Sequence, residues 1–208
     1  MAQAGLLFVV SGPSGVGKSS LCQAIISVVP RACLSVSYTT RKPRPGEQHG
    51  REYFFVDEAE FREIIQRQEF VEWASVYHHL YGTPRSQLAQ AKSQGMDVVL
   101  DIDVQGARQI MTAIDDAVSV FIIPPSLEAL RTRLFKRAGD SLEEVERRLE
   151  KAHDEMQGYR EYDYVIQNDD FQGAMQDLET LIRAERMKSE RIDVTWLEEN
   201  GLLVQGEA

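Results

Sequence analysis

Apolar positions fall in short blocks along this chain, and their period switches between that of a buried strand and that of a helix. Leu6–Val10 is an unbroken apolar run that ends in the glycine-rich stretch Ser11–Gly17. A short run without alternation predicts a strand covered on both faces. From Lys18, the apolar positions Leu21, Cys22, Ile25 and Val28/Val29 recur at helical spacing until Pro30 stops them. The same rhythm returns three times. Val98–Asp103 predicts a buried strand with carboxylates at its C-terminal end, followed by a helix from about Gln105 to Ala113. Val118–Ile123 predicts another, stopped by Pro124-Pro125, with a helix from Ser126 to about Arg137. Tyr164–Ile166 predicts a short last strand before a helix from about Phe171 to Lys188. Strands alternating with helices predict an α/β fold with a parallel sheet and helices on both faces.

Two stretches break this rhythm. Residues 35–90 hold shorter, more polar segments: strands at Leu34–Thr39, Glu52–Val56 and Phe70–Tyr77, and a helix near Asp57–Gln68. They predict a small mixed insertion, with His78 and His79 in a turn. Residues 133–150 mix arginines with acids. Ser141 with Glu144 makes a capping box, and Leu142, Val145, Leu149 and Ala152 form the apolar stripe of the following helix. The tail after Lys188 is polar and expected to fray unless Trp196, Leu197, Leu202 and Leu203 dock it.

Composition narrows the class. At 208 residues the chain supports one sizeable core rather than two large domains. Its net charge of -10 repels nucleic-acid backbones and anionic membranes, so neither is an expected partner. An anionic ligand then needs a local basic island. Cys22 and Cys33 show neither a disulfide framework nor a zinc spacing, as expected of a cytoplasmic protein. No apolar run has the form of a signal peptide or the length of a membrane span.

Gly12, Pro13, Ser14, Gly15, Val16, Gly17, Lys18 and Ser19 satisfy the phosphate-binding loop pattern at every fixed position, between a predicted strand and a predicted helix. Small residues let successive N–H groups turn around a phosphate, and the helix N-terminus adds its dipole. Lys18 is a point charge for β- and γ-phosphates, and Ser19 can reach Mg²⁺ directly or through water. Asp101 ends its strand where a carboxylate orients Mg²⁺ and its waters, or is simply solvated. Asp103, two residues on, is expected to point the same way. The loop thus indicates a nucleoside triphosphate user without naming the acceptor.

Arg41, Lys42, Arg44 and Arg51 form a positive island in an acidic chain, stiffened by Pro43, Pro45 and Gly46. Arginine forks match phosphate geometry, but charge alone allows a solvated basic loop equally well. The run Ser35-Val36-Ser37-Tyr38-Thr39-Thr40-Arg41-Lys42-Pro43-Arg44-Pro45-Gly46-Glu47 closely resembles the signature of the guanylate kinase family. So do Phe70-Val71-Glu72-Trp73-Ala74, Tyr81-Gly82-Thr83, Asp101-Ile102-Asp103-Val104-Gln105-Gly106 and Val165-Ile166-Gln167-Asn168-Asp169-Asp170, in the same order. The resemblance spans about residues 5–188.

It implies a P-loop three-layer fold: a core of residues 1–36, 91–130 and 151–208, a GMP-binding insertion at 37–90, and a helical lid at 131–150. It implies transfer of the terminal phosphate of ATP to GMP, and to dGMP alongside it, with Mg²⁺. The P-loop residues with Ser20 and Asn168 would bind the donor. Arg41, Arg44, Tyr53 and Tyr81 would hold the GMP phosphate, with Glu47 in the same acceptor site. Ser37, Glu72 and Asp103 would read the guanine, with Thr83 close by. Asp101 would serve the acceptor site as well as Mg²⁺. Chemistry agrees: a carboxylate accepts from guanine N1–H and N2–H, whereas adenine would leave it unpaired. Arg133, Arg137 and Arg148 match lid arginines that contact the donor phosphates or the group in transfer; a salt-bridged surface is the alternative.

Departures from the family pattern are small. Ala138 replaces a usual glycine, Gln167 an apolar residue, and Thr83 a serine of some members. Two rivals stand beside this reading. One is a kinase of the same fold with another phosphorylated acceptor, against which Glu72 and Ser37 speak. The other is an interaction module that has lost catalysis, against which Lys18, Arg137 and Arg148 speak. Monomer and homo-oligomer are equally compatible with the sequence.

Overall fold

The computed structural model describes residues 5–136 and 142–203. In chain order it contains β1 (Leu7–Ser11), α1 (Lys18–Val28), β2 (Ala32–Leu34), β3 (Tyr38–Thr39), β4 (Phe54–Phe55), α2 (Glu58–Gln66), β5 (Phe70–Val76), β6 (His79–Pro84), α3 (Arg85–Ser93), β7 (Asp97–Asp101), α4 (Val104–Ala113), β8 (Val118–Ile123), α5 (Leu127–Lys136), α6 (Leu142–Met156), β9 (Tyr164–Gln167), α7 (Phe171–Arg186) and α8 (Val194–Glu199).

A five-stranded sheet in the order β2-β7-β1-β8-β9 forms the core, and every recorded pairing in it is parallel. The period of a strand divides its apolar residues between two faces. Phe8 and Val10 join the cluster under α1 and α7, whereas Val9, Leu100 and Phe121 join the cluster under α4. Burial on both faces is why these strands read as continuous apolar runs. Gln167 departs from that pattern harmlessly, because it is exposed on β9.

The insertion builds its own sheet, β4-β3-β6-β5, over a small core of Phe61, Ile64 and Phe70. β5 and β6 form an antiparallel hairpin. Tyr77 and His78 make its turn with φ of 49° and 67°, left-handed at both central positions as the twist of a tight hairpin demands. His79, expected in that turn, instead begins β6.

Other expectations need correction. The predicted strand Leu34–Thr39 is two strands in two sheets, because the chain crosses from core to insertion between β2 and β3. α3 was not predicted; Ala91 is its buried residue, so its apolar pattern is faint. β7 stops at Asp101, and Asp103 caps α4 by accepting from Gly106 N–H. Past Lys188 the described chain is tied at two points: Arg191 pairs with buried Glu185 at 3.2 Å, and Asp193 caps α8. Leu202 and Leu203 nevertheless remain exposed, at 60% and 45%. Ser141, Arg137 and Ala138 lie outside the described residues. Among the described residues no helix is long and apolar enough to cross a membrane.

Candidate active site

Four helices begin on an aspartate whose side chain accepts a first-turn N–H: Asp57, Asp103, Asp170 and Asp193. α1 is different. It starts on Gly17, left-handed at φ 97°, with no side-chain cap. Its first-turn donors and the positive end of its dipole can therefore face an anion. Gly12 and Gly15 are also left-handed, at φ 138° and 88°, and a Cβ on Gly12 would lie 2.3 Å from the Ile122 carbonyl. Only glycine fits there, which is how the sequence pattern shapes this loop. Lys18 Nζ donates to the Gly12 and Pro13 carbonyls at 2.6 and 3.1 Å, curled over the loop.

A cleft of about 380 Å³ runs from this loop to the insertion. Its walls include Gly12, Ser14, Gly15, Gly17, Lys18, Ser19 and Ser20 at the loop end. Ser37, Arg41, Arg44, Tyr53, Glu72, Tyr81 and Asp103 line the insertion side, with Asp101, Arg133 and Arg148 completing the ring. Residues far apart in sequence therefore face one space.

Other predicted residues stand behind the wall. Pro13 and Val16 are buried parts of the loop. Asn168 is buried, and its Nδ2 donates to the Val16 carbonyl at 2.6 Å. Arg133 donates to the Asn168 carbonyl at 2.8 Å, so both residues brace the phosphate loop from α5 and the end of β9. Thr83 is fully buried and donates to Glu72 Oε1 at 2.6 Å. Its hydroxyl lies 3.5 Å from that of Ser37.

Glu47 holds Arg41 by a bidentate pair, both contacts at 2.9 Å, and accepts from Arg44 N–H at 2.7 Å. Burial pushes the Glu47 carboxyl up, but Arg41 and the Arg44 N–H outweigh it and hold it below the ordinary carboxylate value. Glu47 is thus a brace for the basic island. Replacing it with Gln removes one charge and part of the fork. If the basic island holds the GMP phosphate that the resemblance implies, the expected result is a KM for GMP raised roughly three- to tenfold, since each ~1.4 kcal/mol is a factor of ten, with kcat little changed. Steady-state titration of GMP at saturating ATP checks it.

Glu72 is the most perturbed carboxyl of the cleft. Burial pushes it up to about 7, assisted by the nearby Asp103 and opposed by the Thr83 hydrogen bonds. A carboxylate this poorly hydrated is set to accept from donors that a ligand brings.

The cleft also contains Tyr77, Lys151 and Glu155, which were not predicted. Lys151 and Glu155 follow Arg148 at spacings that keep all three on one face of α6, a signal present in the sequence. Tyr77 presents its ring to Arg148 at 5.0 Å and Lys151 at 4.8 Å, joining the insertion hairpin to α6.

Comparison with known proteins agrees with this geometry. A family model described as guanylate kinase matches residues 5–185. A guanylate kinase of Escherichia coli K12 is 51% identical over 193 residues, 92% of this chain and 93% of that protein. One from Geobacter sulfurreducens is 46% identical over 192 residues, 92% of this chain and 95% of its own length. The crystal structure of a guanylate kinase from Anaplasma phagocytophilum superposes with a TM-score of 0.82 at 33% identity, covering 98% of both chains.

Proposed function

The chain belongs to the guanylate kinase family, and from that premise we propose how it transfers the terminal phosphoryl group of ATP to GMP, giving ADP and GDP. The observation that carries the reading is one cleft lined at one end by a phosphate loop and at the other by arginines and a buried carboxylate. Residues 37–90 serve as the acceptor insertion and 131–150 as the lid over a core of 1–36, 91–130 and 151–208.

The acceptor is already an anion near neutral pH, so its attack needs no general base. The difficulty is electrostatic: two anions must meet in line. Lys18 and the N–H groups of the loop take the donor phosphates. Arg41, Arg44, Tyr53 and Tyr81 take the GMP phosphate. Arg148, buried on α6, balances charge on the group in transfer. Ser37, Glu72 and Asp103 fix the base, so the acceptor oxygen is delivered in register. Closure of insertion and lid excludes water, the competing acceptor.

Ser19 and Asp101 fit a divalent ion. Ser19 Oγ donates to Asp101 Oδ2 at 2.5 Å, so two hard oxygen ligands converge beside the loop. Among the described residues no cluster of three or more acidic, histidine or cysteine side chains competes as a metal site. Mg²⁺ held there would supply charge neutralisation to the phosphate oxygens. GMP, and dGMP with the same base edge, are the acceptors this site takes.

The test is a coupled assay with ATP, Mg²⁺ and a panel of nucleoside monophosphates, run against pH. GMP and dGMP should be consumed, and AMP, CMP and UMP should not. Guanine donors require ionised Glu72, whose value lies at about 7. kcat/KM for GMP should therefore fall about tenfold from pH 8 to pH 6, as that carboxylate takes a proton. Equal use of AMP would exclude this reading, and a flat profile over that window would remove the ionisation of Glu72 from it.

A further inference from the structure

Gly106 lies in the first turn of α4, three residues after the cap Asp103. Its N–H donates to Asp103 Oδ1 at 2.9 Å. A Cβ at this position would lie 2.5 Å from Glu72 Oε2, 3.0 Å from Glu72 Cδ and 3.4 Å from Asp103 Oδ1. The first two distances are far inside ordinary packing contact.

Conformation does not explain this glycine, because Gly106 is not among the glycines with left-handed φ. Helix propensity argues against it, since alanine is the better helix former. What glycine gives here is room. The space it leaves is taken by a carboxylate whose other oxygen is tied: Glu72 Oε1 accepts from Thr83 Oγ1 at 2.6 Å. A methyl group there would have to push Glu72 aside, against the bond that holds its Oε1 to Thr83.

We infer that Gly106 is a positioning residue for base choice. Its missing side chain seats Glu72 flat against the first turn of α4, beside Asp103. The inference rests on the reading of Glu72 as the acceptor for guanine N1–H and N2–H. The collision falls on the end of a side chain rather than on backbone, so a methyl group moves the base reader and spares the fold.

The experiment is a cycle of four enzymes: wild type, Gly106→Ala, Glu72→Ala and the double variant. kcat/KM is measured for GMP and AMP, with KM for ATP and the melting temperature. Gly106→Ala should lower kcat/KM for GMP roughly ten- to hundredfold, the order expected of a small misplacement of a substrate-positioning group. It should narrow the GMP:AMP ratio and leave KM for ATP and the melting temperature near wild type. In the Glu72→Ala background the methyl group has room, so Gly106→Ala should cost almost nothing more. An unchanged GMP:AMP ratio in Gly106→Ala would overturn the inference, and so would an equal loss in both backgrounds. If Gly106→Ala melts early, recovery in the double variant supports the collision with Glu72, and no recovery overturns it. If Glu72→Ala itself leaves the ratio unchanged, the base-reading role of Glu72 fails first, and the seat fails with it.

Discussion

Lys18→Ala should lose roughly 10²–10³ in kcat, the cost of removing one preorganised charge from a developing transition state. Its fold should survive, because Lys18 is half-buried at the start of α1 and the side-chain partners found for it are the Gly12 and Pro13 carbonyls. Both are groups of the loop itself, so these two hydrogen bonds tie the side chain to no distant element. The glycine conformations that shape the loop are set by Gly12, Gly15 and Gly17 and do not require the lysine. KM for GMP should change little, since Arg41 and Arg44 lie on the insertion side of the cleft. Lys18→Arg should fare nearly as badly. A wide planar guanidinium with a fixed fork of donors does not fit a seat in which a compact ammonium meets the Gly12 and Pro13 carbonyls. Single-turnover kinetics with saturating ATP and GMP, beside a melting curve, separates lost chemistry from lost fold. Turnover near wild type would remove Lys18 from the reaction.

The phosphate loop was legible in the sequence because everything it needs is contiguous. Glycine conformations, the lysine and the helix start all follow from neighbouring residues. The central strands were legible for a related reason: burial on both faces leaves continuous apolar runs such as Leu7–Val10 and Val118–Ile123. The proposed acceptor site rests on resemblance, since charge alone did not distinguish a phosphate grip from a solvated loop. What escaped depends on distant partners. Buried Asp97 accepts from Leu6 N–H and pairs with Arg186 across 89 positions, and no local pattern marks that. Asp103 was placed on a strand by counting two residues from Asp101. Its side chain in fact ends the strand's influence by capping α4. It still lines the cleft, but with one oxygen committed to the helix. In the proposed guanine site Asp103 then offers a narrower edge than the sequence suggested, and more of the proposed base reading falls on Glu72.

Glu72→Gln should reduce kcat/KM for GMP by one to two orders of magnitude. Charge-assisted hydrogen bonds are worth about 1.5–3 kcal/mol each, and each ~1.4 kcal/mol is tenfold. The variant keeps the shape and can still accept from Thr83, but its amide turns donors toward the donors of guanine. AMP should gain relative to GMP, because no unpaired carboxylate then opposes adenine, while absolute AMP turnover stays low. KM for ATP should barely move. Stability supplies an independent sign. Glu72 sits at about 7 in the fold against an ordinary 4.5, so between those values the folded chain binds more protons than the unfolded one. Unliganded wild type should lose stability as pH rises through that window, by about 3 kcal/mol at ~1.36 kcal/mol per pH unit. Glu72→Gln carries no such penalty, so its melting temperature should vary less between pH 5 and pH 8 than that of wild type. Bound GMP should restore most of the wild-type loss by supplying donors to the ionised carboxylate, and should restore little in the variant. Calorimetric melting of both proteins at pH 5 and pH 8, with and without GMP, reads all four terms. An unchanged GMP:AMP ratio together with parallel melting profiles would remove Glu72 from the base-reading site.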